Sequence, residues 1–301
     1  DVNIVLGGAF INEQFINGNI ADFEKPMRKH QIDYILYAFN SEVDLRDLIL
    51  SRKGKVQIEK VKNLIYIKNG DFVDGHFGVT AQRWQKAVLE DAPVLWDQLE
   101  LPFVNHTVQM RTSSGCPFSC AFCSYPKTAK EFQVISCGFT AKHIQNILRI
   151  PGVNKIIFID DTFNIPHSRF QEMCRLFCNY NFEWFSFLRV QFIDDETVKL
   201  MKDSGCKGVY LGIESANDIV LKNMNKKATR AEFLKGLSLL QKHGITSVAA
   251  FIIGFPGETE ESIKEDIEFI ETAGVDFYTL KEFYYMKHTP VYENRDKFGL
   301  Y

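Results

Sequence analysis

From about residue 107 onward, short apolar runs alternate with amphipathic stretches, and this alternation limits the possible folds more than any other feature. The apolar runs predict strands at residues 106–111, 155–160, 182–189, 208–213, 247–253 and 276–283. Several of them have no polar face, as expected for strands buried on both sides of a parallel sheet. Strand and helix alternating six times predict an α/β fold with right-handed crossovers. Six units instead of eight predict an open, partial (β/α)6 barrel.

Helix signals lie between these runs. Thr229 and Ser168 each stand three residues before a Glu or Gln, which is the spacing of a capping box, so each predicts the start of a helix. A later helix follows a run of glutamates, and its packed face is predicted at Ile263, Ile267 and Ile270.

Residues 1–70 predict a separate and smaller Rossmann-like unit. In this unit, residues 2–8 (VNIVLGG) predict a buried strand, residues 33–39 a second strand, residues 42–50 a helix, and residues 64–73 a hairpin. Residues 71–105 predict a linker with a helical stretch near residues 81–89, and residues 106–301 predict the barrel. Because the chain starts without Met and directly in a strand, we expect it to be part of a longer protein.

The cysteine content points to metal ligands. Seven cysteines, an odd number, fit a disulfide framework poorly, and three of them lie within eight residues. We therefore expect a reducing, cytoplasmic location.

The net charge of −3, with the two signs interspersed, provides no basic surface for nucleic acid, and no apolar run is long enough to cross a membrane.

The three clustered cysteines, Cys116, Cys120 and Cys123, directly follow the first strand of the barrel. Strand ends of this kind carry the active sites of such barrels. Three thiolates can hold three irons of a [4Fe–4S] cluster and leave the fourth iron open for S-adenosylmethionine (SAM). A ferredoxin-type cluster needs a fourth nearby cysteine, and the next is Cys137, fourteen residues further on. A zinc site is the remaining alternative. Phe122 is expected either to contact the adenine of SAM or to pack in the core.

Polar side chains at the second and third strand ends suit the amino-acid part of SAM. Asp160 and Asp161 are costly to bury without a cation, and the amino group of SAM is one; helix caps are the alternative. Arg189 closes the third strand, where its fork can bind the carboxylate of SAM or form a buried ion pair.

The fourth and fifth strand ends suit the nucleoside part of SAM. Glu214 and Ser215 offer a carboxylate and a hydroxyl for the ribose, and Gly254 exposes backbone against the adenine. Cys137 lies in a predicted loop, where a thiol can serve as a hydrogen donor or can simply be packed.

Together, the CxxxCxxC, IDD, GIES and GFPGE segments resemble the radical SAM superfamily. The order of GIES and GFPGE is typical of the subclass with an N-terminal B12-binding-type domain. That subclass includes cobalamin-dependent methyltransferases and enzymes that modify ribosomal peptides. Residues 1–70 resemble the second half of the B12-binding domain.

The resemblance implies an enzyme that cleaves SAM at the cluster to a 5′-deoxyadenosyl radical and abstracts hydrogen from a peptide or small natural product. It also implies an electron donor such as flavodoxin or ferredoxin, and cobalamin as a further cofactor if the reaction is a methylation. A peptide epimerase without cobalamin, with Cys137 as donor, is a second expectation, and a non-catalytic iron–sulfur or zinc protein is a third. The second strand ends in IDDTFN, where many members have Gly-Gly-Glu, so the SAM contact at this position departs from the family pattern.

Overall fold

The chain divides between Pro93 and Val94 into two units, and each unit has its own sheet. The computed structural model describes residues 2–8, 11, 20–38, 41–74, 90, 93–98, 105–129 and 131–300. The helical stretch predicted near residues 81–89, and most of the predicted linker, lie outside these residues.

The first unit has a four-stranded sheet with a helix on each face. Its strands, in their order across the sheet, are β1 (Val5–Leu6), β2 (Tyr34–Leu36), β3 (Leu64–Lys68) and β4 (Asp71–Asp74). Strands β1 and β2 are parallel, and the other neighbours are antiparallel. The helices are α1 (Glu24–His30) and α2 (Glu42–Arg52), with single 3-10 turns at Ile20–Phe23 and Ile58–Lys60.

The alternation of side chains along β2 creates two apolar cores, one on each face of this sheet. Ile35 packs in the cluster that contains Met27 of α1, whereas Leu36 packs in the cluster that contains Leu48 of α2. The helix predicted at residues 42–50 and the hairpin predicted at residues 64–73 are both present. The hairpin continues to Asp74, four residues into the segment that was predicted to be a linker.

The first strand differs from the prediction of a buried strand over residues 2–8. Strand β1 contains only Val5 and Leu6, and these side chains are 38% and 37% exposed. The physical reason is its position at the edge of the sheet, where β2 is its one partner strand among the described residues.

The second unit has a six-stranded parallel sheet whose order follows the chain. Its strands are β5 (Thr107–Met110), β8 (Lys155–Phe158), β9 (Glu183–Leu188), β10 (Cys206–Glu214), β11 (Thr246–Ile253) and β12 (Phe277–Glu282). Between β5 and β8, the short strands β6 (Ser113–Ser114) and β7 (Gln133–Val134) form an antiparallel pair. All six predicted strands are present, each within two residues of its predicted ends, and the α/β fold with a parallel sheet is confirmed.

Helices lie between the parallel strands, and one more follows β12. They are α3 (Tyr125–Ala129), α4 (Cys137–Ile147), α5 (His167–Phe177), α6 (Asp195–Asp203), α7 (Asp218–Asn223), α8 (Arg230–Lys242), α9 (Glu260–Thr272) and α10 (Pro290–Glu293). Short 3-10 turns lie at Trp96–Gln98, Val190–Phe192 and Arg295–Phe298. In the part of the chain that the structure describes, no helix is long and apolar enough to span a membrane.

Two of the helix predictions are corrected by the structure. The capping box at Thr229 is present at the start of α8, but Ser168 does not cap α5, which begins one residue earlier, after Pro166. In α9, Ile267 is 51% exposed, whereas Asp266 and Phe269 are buried. The buried face therefore differs from the predicted isoleucine face, because α9 presents the stripe through Asp266 and Phe269 to the sheet.

An aromatic core lies between the sheet and the helix α5. Phe158 and Phe163 stack with ring centroids 4.5 Å apart, and Phe170, Phe177 and Trp184 pack around them. All five side chains are at most 1% exposed. This core fixes β8 and β9 against α5 and so holds the ends of both strands in place.

Candidate active site

A cavity of about 370 Å³ lies among the carboxyl ends of the strands of the larger sheet. Each of the six parallel strands, or the loop that follows it, contributes lining residues. The cavity brings together seven of the predicted site residues: Cys116, Cys120, Phe122, Cys123, Asp161, Arg189 and Glu214. The other four do not line it, and these are Cys137, Asp160, Ser215 and Gly254.

The cysteine loop is held by backbone contacts. Cys120 is buried, and its carbonyl accepts a hydrogen bond from the N–H of Cys123 at 3.1 Å. The N–H of Ala121 donates to the carbonyl of Met224 at 2.7 Å, which ties the loop to the end of α7. Gly115 precedes the motif with φ of +83°, and a Cβ there would collide with the carbonyl of Glu131. These backbone contacts fix the path of the loop that carries the three thiols.

The three thiols fit an iron–sulfur cluster. Burial raises the pKa of Cys123 to about 11, so this thiol is neutral until a metal displaces its proton. Within the described ranges, no three His, Cys, Asp or Glu side chains are placed to enclose a single metal ion. In a [4Fe–4S] cluster each cysteine binds a different iron, so its sulfurs need not converge on one point. Three soft donors around one cavity are suitable ligands for such a cluster.

Asp160 fixes the chain that leads to the cysteine loop. Its carboxylate accepts hydrogen bonds from the N–H of Thr112 at 2.8 Å and from the hydroxyls of Thr112 and Ser113 at 3.0 and 2.6 Å. The N–H of Ser113 is a fourth donor. Asp160 is fully buried by these contacts, so it is not the carboxylate that faces the cavity.

Asp161 is the acid of this pair that lines the cavity. The hydroxyl of Tyr125 donates to Asp161 and accepts from the N–H of Gly115 at 3.2 Å. Burial raises the pKa of Asp161, and the hydrogen bond from Tyr125 opposes this rise. The same burial raises the pKa of Tyr125 to about 12. A cationic group in the cavity would stabilise the ionised form of Asp161.

The rest of the IDDTFN segment also serves the site. The hydroxyl of Thr162 lies 3.6 Å from the sulfur of Cys116. Asn164 accepts from the N–H of Arg189 at 3.1 Å and donates to the carbonyl of Arg189 at 2.8 Å. This departure from the family pattern is therefore a set of contacts that position two other elements of the site.

Arg189 contacts the cysteine motif directly. Its Nη2 donates to the sulfur of Cys120 at 2.8 Å, and its Nη1 donates to the carbonyl of Lys226 at 2.8 Å. The guanidinium carbon lies 3.6 Å from the ring centroid of Phe118, which stacks in turn on Phe192. With 6% of its surface exposed, Arg189 is a buried cation next to a metal-ligand candidate.

Glu214 forms an ion pair inside the cavity. Its Oε1 lies 2.9 Å from Nζ of Lys226, and these side chains are 12% and 5% exposed. Glu214 has φ of +69°, directly after an irregularity in the pairing of β10 with β11. A Cβ on Gly212 would collide with Glu214 and lie 2.9 Å from the Lys226 ammonium, so the glycine makes room for the pair.

Ser215 belongs to the support of the GIES segment. Its hydroxyl donates to Oδ1 of Asp266 at 3.1 Å and accepts from the N–H of Asn217 at 3.1 Å. Asp266 also accepts from the N–H of Ala216 at 2.5 Å. Ser215 is fully buried and does not line the cavity, so it fixes the loop after β10 instead of facing the ribose as predicted.

Gly254 and Cys137 also lie away from the lining of the cavity. The N–H of Gly254, which the sequence assigned to adenine, donates to Glu258 at 2.5 Å. Cys137 is the first residue of α4 and does not lie in a loop as predicted. Burial and the adjacent Glu172 raise its pKa to about 11.

Sequence reasoning did not identify Phe118, Tyr125, Asn164 and Lys226 as parts of the site. Phe118 lies inside the cysteine motif, and Asn164 lies inside the unusual IDDTFN segment, so both had a local signal. Lys226 had none, because it follows α7 in a loop, twelve residues after its partner Glu214.

Known proteins resemble this chain in sequence and in fold. The family model of the radical SAM superfamily matches residues 110–270. An uncharacterised methyltransferase of Pyrococcus horikoshii is 31% identical over 172 residues, which cover 55% of this chain and 37% of the relative. The anaerobic magnesium-protoporphyrin IX monomethyl ester cyclase of Cereibacter sphaeroides is 27% identical over 205 residues, 66% of this chain and 31% of the relative.

A solved structure extends the likeness to both units. It is that of the radical SAM methyltransferase TsrM from Kitasatospora setae with cobalamin and a [4Fe–4S] cluster bound. The TM-score is 0.71 at 14% identity, over 96% of this chain and 58% of that chain, and this likeness concerns the fold. The chain spans about a third of the length of the two curated relatives, 37% and 31%.

The match to the family model runs from the end of β5 into α9 and includes the three cysteines and the carboxyl ends of five of the six parallel strands. It covers more than half of the 301 residues. The protein is therefore an enzyme that belongs to the radical SAM superfamily, whose members use a [4Fe–4S] cluster and SAM.

Proposed function

We propose that this cavity binds SAM beside a [4Fe–4S] cluster held by Cys116, Cys120 and Cys123, and that the enzyme activates a C–H bond of an organic substrate for methylation. One observation supports the proposal most strongly. Three thiols and charged groups of both signs, among them Asp161 and Arg189, line the same cavity. SAM carries an amino group, a carboxylate and a sulfonium, so it needs charges of both signs in its site.

When bound, the cluster supplies the electron that cleaves SAM and so generates the radical that abstracts hydrogen. The side chains of the cavity bind SAM and orient it. Asp161 provides a negative charge for the amino group of SAM, and Arg189 a positive charge for its carboxylate. Glu214 accepts hydrogen bonds from the ribose, and the aromatic ring of Phe122 covers the adenine.

Two observations support methylation with cobalamin as the subtype. The fold likeness to TsrM covers 96% of this chain and so includes the first unit. The relative from Pyrococcus horikoshii carries the name of a methyltransferase. We propose that the first unit contributes to a cobalamin site, that the substrate is a peptide or small natural product, and that flavodoxin or ferredoxin donates the electron.

Epimerisation is less well supported. An epimerase of this type needs a thiol that reaches the substrate radical, and the sequence offered Cys137 for this role. Cys137 does not line the cavity that holds the other candidates. No specific observation among the described residues therefore favours the epimerase.

Anaerobic reconstitution tests the proposal against a non-catalytic metalloprotein. We expect about four irons per chain and formation of 5′-deoxyadenosine from SAM after reduction. Cys120→Ala should abolish both, whereas Cys178→Ala, which changes an exposed cysteine at the end of α5, should preserve both. Zinc in the purified protein without cleavage of SAM would contradict the proposal.

Cobalamin binding is tested on the natural full-length protein. The protein is produced with a supply of cobalamin, and its optical spectrum is recorded after purification. A corrinoid absorption band that stays with the protein through gel filtration is expected. Absence of the band, together with intact SAM cleavage, would reject cobalamin-dependent methylation and leave radical SAM activity in place.

A further inference from the structure

Two aromatic side chains line the deeper end of the cavity. Phe187 and Tyr210 are paired across β9 and β10, and their ring centroids lie 5.1 Å apart at 53°. Both line the cavity, and we call this pair the aromatic floor. The hydroxyl of Tyr210 forms a hydrogen bond of 2.7 Å with the hydroxyl of Thr279, and this contact holds the ring in place.

The aromatic floor lies below the groups assigned to SAM. Phe187 comes two residues before Arg189, and Tyr210 comes two residues before Gly212. Since side chains two residues apart on a strand share one face, the floor is one layer deeper than Arg189 and Gly212. Asp161 and Glu214 lie at the strand ends. The aromatic floor therefore offers a separate surface, deeper in the cavity than these groups.

The floor is open to a ligand. Phe187 is 37% exposed, whereas its neighbour Leu188 is only 3% exposed. When a flat apolar group covers an exposed aromatic ring in a cavity, the burial of both surfaces favours binding. Ala250 and Ile252 extend the same apolar wall along β11.

Among the described residues that line the cavity, one cation has neither a partner in the protein nor a proposed contact with SAM, to whose carboxylate Arg189 is assigned. Arg189 donates to Cys120 and to the Lys226 carbonyl, and Lys226 is paired with Glu214. Lys281, opposite Ile252 on β12, also lines the cavity and forms no ion pair or side-chain hydrogen bond within the described part of the chain.

We infer that the substrate combines a flat apolar portion, which covers the aromatic floor, with an anionic group such as a carboxylate, which binds Lys281. This inference rests on the proposed function, because it assigns the substrate class of the same cavity. The floor orients the ring, and the ammonium of Lys281 fixes the direction in which the anionic end points. A substrate without a negative charge leaves Lys281 without a partner and binds less tightly.

Binding of two matched probes tests the inference. The probes are 2-naphthoate and 2-naphthamide, which share a flat ring system and differ in charge. Each is titrated calorimetrically into the reconstituted, unreduced protein with SAM present, so that no turnover occurs. We expect the naphthoate to bind about tenfold more tightly than the naphthamide, because a charge-assisted hydrogen bond is formed only with the former.

Variants identify the two contacts. Lys281→Gln should remove the preference for the naphthoate, and Lys281→Arg should restore it. Phe187→Ala should weaken both probes by about tenfold, since both lose the same aromatic contact. The controls are Lys235→Gln on the exposed face of α8 and Phe277→Ala, an exposed aromatic that does not line the cavity; both should bind like the parent.

Three results would overturn the inference: failure of both probes to bind, equal affinity of the parent for both, or a preference that persists in Lys281→Gln. Formation of 5′-deoxyadenosine by the parent protein, measured without any probe, decides the proposed function separately. SAM cleavage without probe discrimination would reject the substrate class alone, and probe discrimination without SAM cleavage would reject the proposed function.

Discussion

Arg189 donates a hydrogen bond from Nη2 to the sulfur of Cys120 at 2.8 Å, and this contact joins the end of β9 to the cysteine motif. The guanidinium is also held by the Lys226 carbonyl and by the ring of Phe118, neither of which is a metal ligand. It is therefore fixed next to Cys120 whether or not the sulfur binds iron. A positive charge and an N–H donor at a ligand sulfur stabilise the more negative, reduced state of a cluster.

Replacement of Arg189 should lower the reduction potential of the cluster. In Arg189→Met, the loss of the charge and the donor should lower the midpoint potential by an amount on the order of tens of millivolts. The measurement is a redox titration of the reconstituted protein, followed by electron paramagnetic resonance. Arg175→Met on the exposed side of α5 is the matched control. An unchanged potential in Arg189→Met would show that the contact with Cys120 has no electrostatic effect.

Asn164→Ala should destabilise the second unit. Asn164 bonds both backbone groups of Arg189. Its removal leaves the buried N–H without this partner, whereas the carbonyl keeps the hydrogen bond from the N–H of Phe192 at 3.2 Å. A cost of about 1–3 kcal/mol in the free energy of unfolding is expected. Urea denaturation measures it, with the exposed Asn154→Ala as a control that should change the free energy by less than about 0.5 kcal/mol. Equal stabilities of the two variants would contradict the role given to Asn164.

Gly212→Ala should disturb the ion pair in the cavity and weaken SAM binding. The new methyl group would collide with Glu214 beside the Lys226 ammonium, so one of the two side chains must move. We expect the affinity for SAM to fall by about tenfold, which corresponds to about 1.4 kcal/mol. Calorimetric titration of the unreduced holoenzyme measures it. Gly138→Ala in α4 is the matched control, since nothing lies within 4 Å of a Cβ at that position.

Asp266→Asn should change how stability depends on pH. Burial raises the pKa of Asp266 from 3.8 to about 6, and its Oδ2 is buried without a hydrogen-bond partner in the described structure. Since the folded-state pKa is the higher one, the protonated form stabilises the fold below pH 3.8, and this stabilisation is lost as the pH rises through about 6. Asparagine keeps the acceptor for Ala216 and Ser215 and does not titrate.

The stability of Asp266→Asn relative to the parent should therefore rise by roughly 2–3 kcal/mol between pH 4 and pH 7. Denaturant unfolding at a series of pH values measures this difference. Asp44 in the first unit also has a pKa raised to about 6 by burial, but its contribution is common to both proteins and cancels. A difference that stays constant with pH would show that Asp266 does not titrate in this range.

Most of the barrel was predictable from the sequence because its strands are apolar runs bounded by polar and glycine residues. The run of VAAFII, residues 248–253, has no polar face and is within β11, as predicted. The errors lie where tertiary contacts decide. Strand β1 is short and exposed because it is at an edge, and the buried face of α9 includes Asp266, a residue that no apolar pattern selects.

The candidate site was predictable in outline for a related reason. The ends of parallel strands meet at one edge of a sheet, so the motifs at these ends had to lie close together. Which of two adjacent acids faces the cavity depends on the backbone path after β8, and the sequence does not show this path. The pairing of Glu214 with Lys226 was equally hidden, because it depends on where the loop after α7 returns.

The IDDTFN segment, residues 159–164, determines how much of this protein must be grafted onto another barrel to build a cluster site there. Asp160 anchors the strand before the cysteine loop, and Asp161 faces the cavity. Thr162 contacts Cys116, Phe163 packs in the aromatic core, and Asn164 bonds the backbone of Arg189. A cysteine loop grafted onto another barrel without this segment would lose its anchor and its neighbouring guanidinium together. The smallest portable unit for building a cluster site is therefore the loop with these five residues and Arg189, and not the cysteine motif alone.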